Sequence, residues 1–324
     1  MIKKFKDKEV IAIVFSDLHI SDWAKDKSRL DTALKIFKKL SKRASKLNIP
    51  LIHCGDILHK PENLDQDLLY KIQNSFKYIS KYKPTFLSIS GNHSIKKLSL
   101  IKENPISWDS LLSNYYEWWQ CLDYKSFTYK DFIFYGVPYV DHNLGLSEYL
   151  KNLPLDNSKK NILLLHTEYP GAKDTDGRVL NSAENINVNI LSRFDLVLCG
   201  HIHKFQRLTK KIYMVGAPYQ QRRTDKKCSM GYLKIFSDLS VKFIALKNNP
   251  KFIDVESQDE VKDDGNYYTV VPKVNNLIKD LNHNITKQVS KNKLVHRYLK
   301  VKGIKDKNKK NLLIKILKES EDLC

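Results

Sequence analysis

Aspartate, asparagine and histidine recur in this chain just after short apolar stretches. Five such stretches lead into potential metal ligands: Asp17 and His19, Asp56, Asn92, His166, and His201 and His203. Seven of the ten histidines lie in or beside these positions. A single Asp in this place could equally be a helix N-cap, but the repetition is typical of functional side chains at the carboxyl ends of buried strands. We therefore predict that these strand ends converge and hold metal.

The types and number of these side chains indicate two ions. The pairs Asp17-x-His19 and His201-x-His203 can each direct two side chains at one centre. Seven ligands are too many for one ion and suit two that share a bridging carboxylate. Mixed oxygen and imidazole ligands without thiolate favour manganese, with magnesium, iron or zinc as alternatives. Two ions ~3.5–4 Å apart are the usual apparatus for displacement at a phosphoryl ester.

One more histidine follows a predicted ligand directly. His93 comes after Asn92 and is not needed for the ligand set. A histidine beside the ions can protonate the leaving oxygen or bind the phosphate in the transition state. We therefore predict that His93 is catalytic.

The periodicity of apolar residues predicts the elements that carry these side chains. Residues 28–47 and 64–79 have the spacing of amphipathic helices, so the first third reads β-α-β-α-β with parallel strands. Residues 105–120 hold three of the four tryptophans, and we interpret them as a helix packing aromatics into the core, with a base-stacking platform as the alternative. Shorter strands would form a second sheet: 127–129, 132–137, 212–215, 232–236 and 241–246.

Composition narrows the function classes. The length of 324 residues predicts two domains, or one large domain with an appendage. A net charge of +20 favours a polyanionic partner, although a lysine-rich genome would give the same excess.

The five cysteines form no C-x-x-C pair and are interpreted as reduced thiols. No apolar run reaches ~20 residues and no signal peptide is evident, so we expect no membrane span and a cytoplasmic location, the host's if the source is viral.

The ordered motifs resemble those of the calcineurin-like metallophosphoesterase superfamily. They are D-x-H, G-D, G-N-H, H and G-H-x-H, over residues 17–203. The resemblance implies a four-layer α/β/β/α sandwich, which we assign to residues 1–250. The composition changes after Pro250, and this change predicts a small basic C-terminal extension at 251–324. The resemblance also implies that Asp56 bridges two sites, each completed by other residues. One would hold Asp17, His19 and His203, and the other Asn92, His166 and His201.

One position departs from the family pattern. An acidic residue usually follows G-N-H and orients its histidine, whereas this chain has Ser94. A hydroxyl stabilises an imidazolium less than a carboxylate does, so we expect weaker support for His93.

Within the superfamily, the chain looks most like the DNA repair and recombination exonucleases, the SbcD-like nucleases and their phage counterparts. Residues 55–59, Gly-Asp-Ile-Leu-His, resemble a motif of that branch whose histidine contacts the scissile phosphate, which makes His59 a second catalytic candidate. Residues 214–221 resemble its glycine-proline turn, and residues 235–252 its closing strands. The paired arginines 222 and 223 could clamp a phosphate backbone or belong to a solvated loop.

The resulting hypothesis is a two-metal DNA exonuclease or endonuclease subunit. The alternatives are a phosphatase or cyclic-nucleotide phosphodiesterase of the same fold, and a non-catalytic scaffold subunit. The resemblance implies three partners: DNA, a second copy bound through helices near 64–80 and 95–119, and an SMC-like coiled-coil ATPase of the SbcC type. A basic segment with an apolar stripe, residues 286–320, is the predicted docking site for the ATPase.

Overall fold

The computed structural model describes residues 8–21, 23, 27–59, 65–95, 107–141, 145–180 and 186–271. The strands in this part of the chain are β1 (Val10–Phe15), β2 (Leu51–Cys54), β3 (Phe86–Ile89), β4 (Trp119–Cys121), β5 (Ser126–Tyr129), β6 (Phe132–Val137), β7 (Lys160–His166), β8 (Leu196–Gly200), β9 (Gln206–Arg207), β10 (Ile212–Met214), β11 (Gly231–Phe236), β12 (Val241–Ala245), β13 (Phe252–Val255) and β14 (Tyr267–Val270). The α-helices are α1 (Lys27–Leu47), α2 (Gln66–Ser80), α3 (Trp108–Tyr115) and α4 (Leu146–Asn152), and 3₁₀ turns cover Val188–Arg193, Arg223–Lys227 and Gln258–Glu260.

Two six-stranded sheets form the body of the protein. The first has the order β12-β11-β1-β2-β3-β4 and the second β5-β6-β7-β8-β10-β9, while β13 and β14 pair separately. Strands β1, β2 and β3 are parallel, as are β6, β7 and β8. The predicted β-α-β-α-β order of the first third is therefore confirmed, and each sheet carries parallel strands whose carboxyl ends share one edge.

The side chains of β1 show how the layers are held together. Ile11 and Val14 pack between the sheets with residues of β7 and β8. Ile13 and Phe15 point to the opposite face, where they join a cluster with α1 and α2. A third cluster packs the outer face of β7 and β8 against α4 and the Val188–Arg193 turn. The resulting layers are helix, sheet, sheet and helix, which confirms the predicted α/β/β/α sandwich.

The two helices of the first third begin and end close to the predicted positions. The apolar spacing that predicted α1 puts Leu30, Leu34 and Phe37 in the core. Helix α2 starts at Gln66 because Asp65 caps it, with Oδ1 accepting a hydrogen bond of 2.8 Å from the Leu68 amide.

The prediction of one helix over 105–120 was wrong in its extent. Helix α3 ends at Tyr115, and Tyr116 has an extended backbone (φ −116°, ψ 110°). The chain then enters β4, where Trp119 is 1% exposed and its indole N–H donates to the Ser88 hydroxyl at 2.8 Å. Bulky aromatic residues favour a strand that can pack on its neighbours, here Phe76 and Phe86. The aromatic residues thus serve the core, as expected, but partly from a strand.

The prediction that all the shorter strands share a second sheet was also wrong. Strands β11 and β12 extend the first sheet, with β11 antiparallel to β1. Because β1 is buried after its first residue and β2 covers only one of its edges, the other edge needs a partner, which β11 supplies.

Contacts group the chain into a larger unit, Met1–Ile253 with Lys262–Thr269, and a smaller one, Asp254–Val261 with the chain from Val270 onward. The predicted boundary at residue 250 stays a prediction, and the docking segment at 286–320 lies outside the described residues. No helix of the described residues is long and apolar enough to cross a bilayer.

Candidate metal centre

The predicted ligands meet where the carboxyl ends of both sheets come together. The tips of β1 and β2 are tied by main-chain bonds, Asp17 N to Gly55 O (3.0 Å) and His19 N to Asp56 O (2.9 Å). The two sheets are joined by His166, whose Nδ1 lies 2.8 Å from the Cys54 carbonyl oxygen. The site is therefore built between the sheets from the ends of β1, β2, β3, β7 and β8.

The backbone at these tips is held in an uncommon conformation. Asp17, His19, Asp56 and His201 have φ of 53°, 46°, 60° and 90°. Residues with a side chain rarely adopt positive φ, and such strain is concentrated at functional sites. Four of the predicted ligands thus owe their direction to left-handed turns at strand ends.

Two motif glycines are required because ligand side chains occupy the space next to them. A Cβ on Gly55 would lie 2.6 Å from His166 Cγ, and Gly55 also has φ +95°. A Cβ on Gly91 would lie 2.5 Å from the Asp56 amide nitrogen and 2.6 Å from its carboxyl carbon. The glycines of the G-D and G-N-H motifs therefore make room for ligands.

The first group of converging ligand atoms belongs to Asp17, His19 and His203. The Nε2 atoms of His19 and His203 are 3.3 Å apart. Both oxygens of the Asp17 carboxylate lie 3.2 Å from the His201 amide nitrogen, which fixes that carboxylate. The three side chains are largely buried.

The second group contains Asp56, His166 and His201, and Asn92 joins it. The Asn92 Oδ1 is 3.0 Å from His166 Nε2 and 3.1 Å from His201 Nδ1. Asp56 Oδ2 lies 3.3 Å from His166 Nε2 and 3.6 Å from His19 Nε2 of the first group. One carboxylate oxygen therefore faces both groups, as a bridging ligand must.

The chemistry of this donor set fits cations. His166 donates from Nδ1 to the Cys54 carbonyl, so its neutral form would turn the Nε2 lone pair towards the oxygens of Asp56 and Asn92. Acceptors that face one another repel unless a positive charge lies between them. Burial opposes protonation of His166, yet the charge and hydrogen bond of Asp56 raise its pKa to about 9. The same negative environment attracts a metal ion, and the nitrogen and oxygen donors suit manganese, iron or zinc.

Carboxylates beyond the predicted ligands support two of the histidines. Asp225 Oδ2 lies 3.6 Å from His203 Nδ1 and also accepts main-chain bonds from Gln221 (2.8 Å) and Arg222 (3.0 Å). Glu168 Oε1 lies 3.7 Å from His201 Nε2. Such partners orient metal-binding imidazoles and fix which nitrogen carries the proton. Neither carboxylate was among the predicted site residues: Glu168 had the weak signal of an acidic residue two positions after His166, and Asp225 had none.

The two predicted catalytic histidines lie beside the first group. The His93 amide donates to Asp56 Oδ1 at 2.9 Å. The His93 ring is 4.8 Å from the ring of His19 and stacks on His59 at 4.7 Å. The structure thus brings His59 and His93 to the predicted ligands, and their catalytic roles stay predictions.

The serine that replaces the usual acidic residue does not support His93. The Ser94 hydroxyl is buried and makes no hydrogen bond of normal geometry within the described residues, and the side chain that it does affect is that of Asp109, not of His93. Its main chain instead links the loop to α3, through a 3.2 Å bond from the Trp108 amide to the Ser94 carbonyl.

A cavity of about 300 Å³ opens over the ligands. It is lined by His19, Asp56, Asn92, His93, Asp174, Thr175, His201, Ile202, His203, Arg222, Thr224 and Asp225. Of the two paired arginines, only Arg222 is among these lining residues. His53 of β2 is buried, and neither of its ring nitrogens has a partner in the described part of the chain. Burial lowers its pKa to about 3, so it packs against Phe15 as a neutral ring.

The chain is similar to one curated viral protein and to two solved structures described next. The chain is 29% identical to "Putative phosphoesterase 244L" of Invertebrate iridescent virus 6 over 194 residues, which are 57% of this chain and 63% of that protein, so it spans less than two thirds of that relative's length. A solved structure of TT1561 from Thermus thermophilus is 12% identical, with a TM-score of 0.42 over 73% of this chain and 98% of that one. A dimetal phosphatase from Danio rerio is 11% identical, with a TM-score of 0.45 over 74% and 99% of the two chains.

The sequence model of the calcineurin-like phosphoesterases matches residues 12–205, which carry all the predicted ligands. This family depends on two metal ions, and the clustered histidines and aspartates provide candidate sites for them. The chain belongs to the calcineurin-like phosphoesterase family.

Proposed function

We propose that this protein is a metal-dependent hydrolase of phosphoester bonds, and specifically a DNA nuclease that cleaves phosphodiester bonds in repair or recombination. The observation that carries the proposal is a run of cationic side chains that leads away from the metal centre. Arg222 lines the cavity and is the N-cap of the 3₁₀ turn Arg223–Lys227. Lys226 of the same turn lines a second groove of about 230 Å³, together with Lys247 and Lys251. No acidic side chain is among the described residues that line this groove.

A small phosphate ester would use only the cavity, whereas a nucleic acid strand extends beyond it. Lysine and arginine bind the phosphates next to the scissile bond without regard to sequence. The cationic groove beside the cavity therefore favours a polymeric substrate over a phosphomonoester or a cyclic nucleotide.

Each residue of the site has a proposed role in the reaction. Asp17, His19, Asp56 and His203 would hold one ion, and Asp56, Asn92, His166 and His201 the other. The ions, when bound, neutralise charge on the phosphate and activate water. Arg222 would bind a non-bridging oxygen at the cavity wall. His93 would donate a proton to the leaving oxygen, and the neighbouring His59 would contact the scissile phosphate.

The first experiment compares four substrates with Mn²⁺ present: linear duplex DNA, single-stranded DNA, a chromogenic phosphodiester and a chromogenic phosphomonoester. We expect cleavage of at least one form of DNA and of the diester. Hydrolysis of the monoester alone would overturn the proposal in favour of a phosphatase.

The second experiment tests the groove with the triple variant K226E/K247E/K251E. We expect its KM for DNA to rise about tenfold or more. The slope of log affinity for DNA against log salt concentration should become shallower by about 2–3, because each lost phosphate contact removes ~0.7–0.9 from that slope. Activity on the small diester should be unchanged. The matched control is K39E/K42E/K46E, which removes the same charge from exposed positions of α1. Equal effects of the two variants on DNA would show that only net charge matters.

His93→Ala separates catalysis from metal binding. We expect metal content to remain and cleavage to fall about a hundredfold, as for other groups that transfer protons. Loss of metal from this variant would assign His93 to the ligands instead.

The proposed partners follow from the nuclease assignment. An SMC-like ATPase of the SbcC type would dock on residues 286–320, whose lysines would also touch DNA. A second copy of the chain would bind through the surface around α2 and α3.

A further inference from the structure

Three of the predicted ligand histidines share one arrangement. One ring nitrogen faces the ligand group and the other faces an oxygen: the Cys54 carbonyl for His166, Glu168 for His201 and Asp225 for His203. An oxygen on the outer nitrogen keeps the proton there and leaves the inner nitrogen free to bind metal.

His19 is the exception, because its outer nitrogen faces another histidine. Its Nε2 belongs to the first ligand group, 3.3 Å from His203 Nε2. Its Nδ1 lies 3.2 Å from Nδ1 of His59. With a metal on Nε2, His19 would carry its proton on Nδ1 and would donate it to His59. His59 would then accept at Nδ1 and carry its own proton on Nε2.

An imidazole accepts hydrogen bonds only in the plane of its ring, so the orientation of His59 matters. The ring is held by stacking: Trp23 lies 4.9 Å away and nearly parallel, at 15°, and His93 lies 4.7 Å away at 30°. The main chain is held separately, by a 3.1 Å bond from the His59 amide to the Ile20 carbonyl.

Trp23 is itself fixed by its surroundings. The Arg29 guanidinium lies 4.9 Å from its ring centroid and 5.7 Å from that of Tyr267, in cation–π geometry. Arg29 also donates to the Gln221 carbonyl at 3.1 Å, and the Gln221 side chain donates to the Asp17 carbonyl. The backbone of Trp23 is left-handed, with φ 49°, a conformation that a bulky residue adopts only where the fold imposes it.

We propose that Trp23, held by Arg29, is a positioning residue that orients His59, and that His59 in turn fixes the tautomer of the metal ligand His19. His59 thus serves the metal site as well as the substrate. For His19, the acceptor is His59 Nδ1, oriented by Trp23 and Arg29, whereas for the other three histidines it is a carboxylate or carbonyl oxygen.

The first test compares His59→Ala with His59→Gln by calorimetric titration of metal-free protein with Mn²⁺. Removal of an outer-shell partner typically costs 10–100-fold in metal affinity. We expect His59→Ala to weaken one of the two sites by about tenfold or more and to spare the other. His59→Gln, whose amide oxygen can still accept from His19, should bind both ions within about threefold of wild type and yet lose cleavage. Equal affinities in the two variants would overturn the proposal.

The second test addresses Trp23. We expect Trp23→Ala to weaken the same single site, by about fivefold or more, and Trp23→Phe to restore most of the affinity because a ring can still stack. The control is Tyr78→Ala on α2, which removes a ring that also packs against lysines, 5.4 Å from Lys38 and 5.8 Å from Lys81. Tyr78→Ala should leave both sites unchanged. Wild-type binding by Trp23→Ala, or equal weakening of both sites, would show that the stack does not act on His19.

Discussion

At the scale of single residues, the metal centre depends on positions where a side chain is absent as much as on the ligands. Gly91 precedes the predicted ligand Asn92 and lies against Asp56, the carboxylate that faces both ligand groups. The same position lets the His93 amide reach Asp56 Oδ1. A methyl group at Gly91 would therefore disturb the one residue that both ions would share.

We expect Gly91→Ala to abolish binding of both ions and to lower kcat/KM by at least about a hundredfold, because Asp56 must move from its bridging position. Metal analysis of the purified protein and the phosphodiester assay measure the two effects. Gly171→Ala is the control: its Cβ would meet nothing within 4 Å, but its φ of +81° makes the substitution strained. A stability loss of about 1 kcal/mol with full metal content is expected there. If Gly91→Ala retains both ions, the close approach to Asp56 does not matter.

The convergence of the predicted ligands could be anticipated from sequence because each of them lies within a few residues of an apolar strand, and these strands recur with the same kind of ending. Asp225 and Trp23 could not be predicted, since each acts through a contact with a residue distant in sequence. Asp225 supports His203 from a turn after β10, and nothing in the local pattern distinguishes it from an ordinary helix-capping carboxylate. Trp23 has no motif, and its role depends on the stack with His59.

At the scale of elements, the loop that carries Asn92 and His93 is bonded through Ser90 to the N-cap of α3, Ser107, and to Asp123 in the turn after β4. Two buried carboxyl groups lie here, Asp109 of α3 and Asp123. Asp123 accepts from the Ser90 amide at 2.8 Å and from the Ser90 hydroxyl, and these bonds favour its ionised form against burial, which raises its pKa. Asp109 of α3 is fully buried, and neither of its oxygens accepts a hydrogen bond of normal geometry in the described residues. Burial, and then the charge of Asp123, raise the pKa of Asp109 to about 7. Asp109 is therefore the protonated member of the pair at mildly acidic pH.

This difference predicts a pH dependence of stability. An unfolded Asp has a pKa near 3.9, so between pH ~4 and ~7 the folded protein binds a proton at Asp109 that the unfolded chain does not. The stabilising contribution of protonated Asp109 to the free energy of unfolding is then fully present at low pH and is lost as the pH rises through about 7. The upper limit of the loss is about 4 kcal/mol, from 1.36 kcal/mol per unit of pKa difference.

The measurement is the free energy of unfolding of wild type and Asp109→Asn from pH 5 to 8 at constant Mn²⁺. We expect the difference between the two proteins to shift in favour of Asp109→Asn as the pH rises, because Asn cannot ionise. Taking the difference cancels the pH dependence of metal binding, which both proteins share. A constant difference across this range would contradict the raised pKa.

The sequence pattern could predict that a strand exists, but not which sheet it joins. The apolar pattern located β11 and β12, but not their place beside β1. Strand β11 pairs with the edge of β1 that β2 leaves open, and whether that edge is open depends on how the whole sheet is assembled. The sequence pattern did not locate the end of α3 for a related reason. Trp119 fits a helical pattern, but as part of β4 its ring packs against Phe76 and Phe86 and is stabilised by burial there.

At the scale of the whole molecule, the net charge of +20 and the basic C-terminal segment point to large polyanionic and protein partners. Leu312, Leu313, Ile316 and Leu317 of that segment have helical spacing, and a helix so short needs a partner to be stable. We expect deletion of residues 286–324 to spare metal binding and cleavage of short single strands and to abolish co-purification with an SMC-like ATPase. Undiminished binding of the ATPase by the truncated protein would place the docking site elsewhere.

The last prediction concerns self-association. The chain directly after α3 contacts α2, since the rings of Tyr116 and Phe76 are 5.4 Å apart, and both helices expose large apolar side chains. Tyr70 of α2 is 67% exposed, and Leu111 and Tyr115 of α3 are 56% and 77% exposed. Leu111 and Tyr115 are four residues apart and share one face of the helix. Single exposed apolar residues are ordinary, but a group on adjoining helices is typical of an interface.

We therefore expect a homodimer at micromolar concentration, with this surface buried in it, and we expect the double variant Leu111→Asp/Tyr115→Asp to be monomeric. A buried charge without a partner is costly, so two of them per subunit should exceed the free energy of a micromolar complex, ~8 kcal/mol. Leu47→Asp is the matched control, because Leu47 is 47% exposed at the end of α1 and belongs to neither helix. Light scattering with sedimentation velocity gives the mass of each protein, and metal content shows that the fold is intact. A monomeric wild type, or dissociation caused equally by Leu47→Asp, would remove α2 and α3 from consideration as the dimer interface.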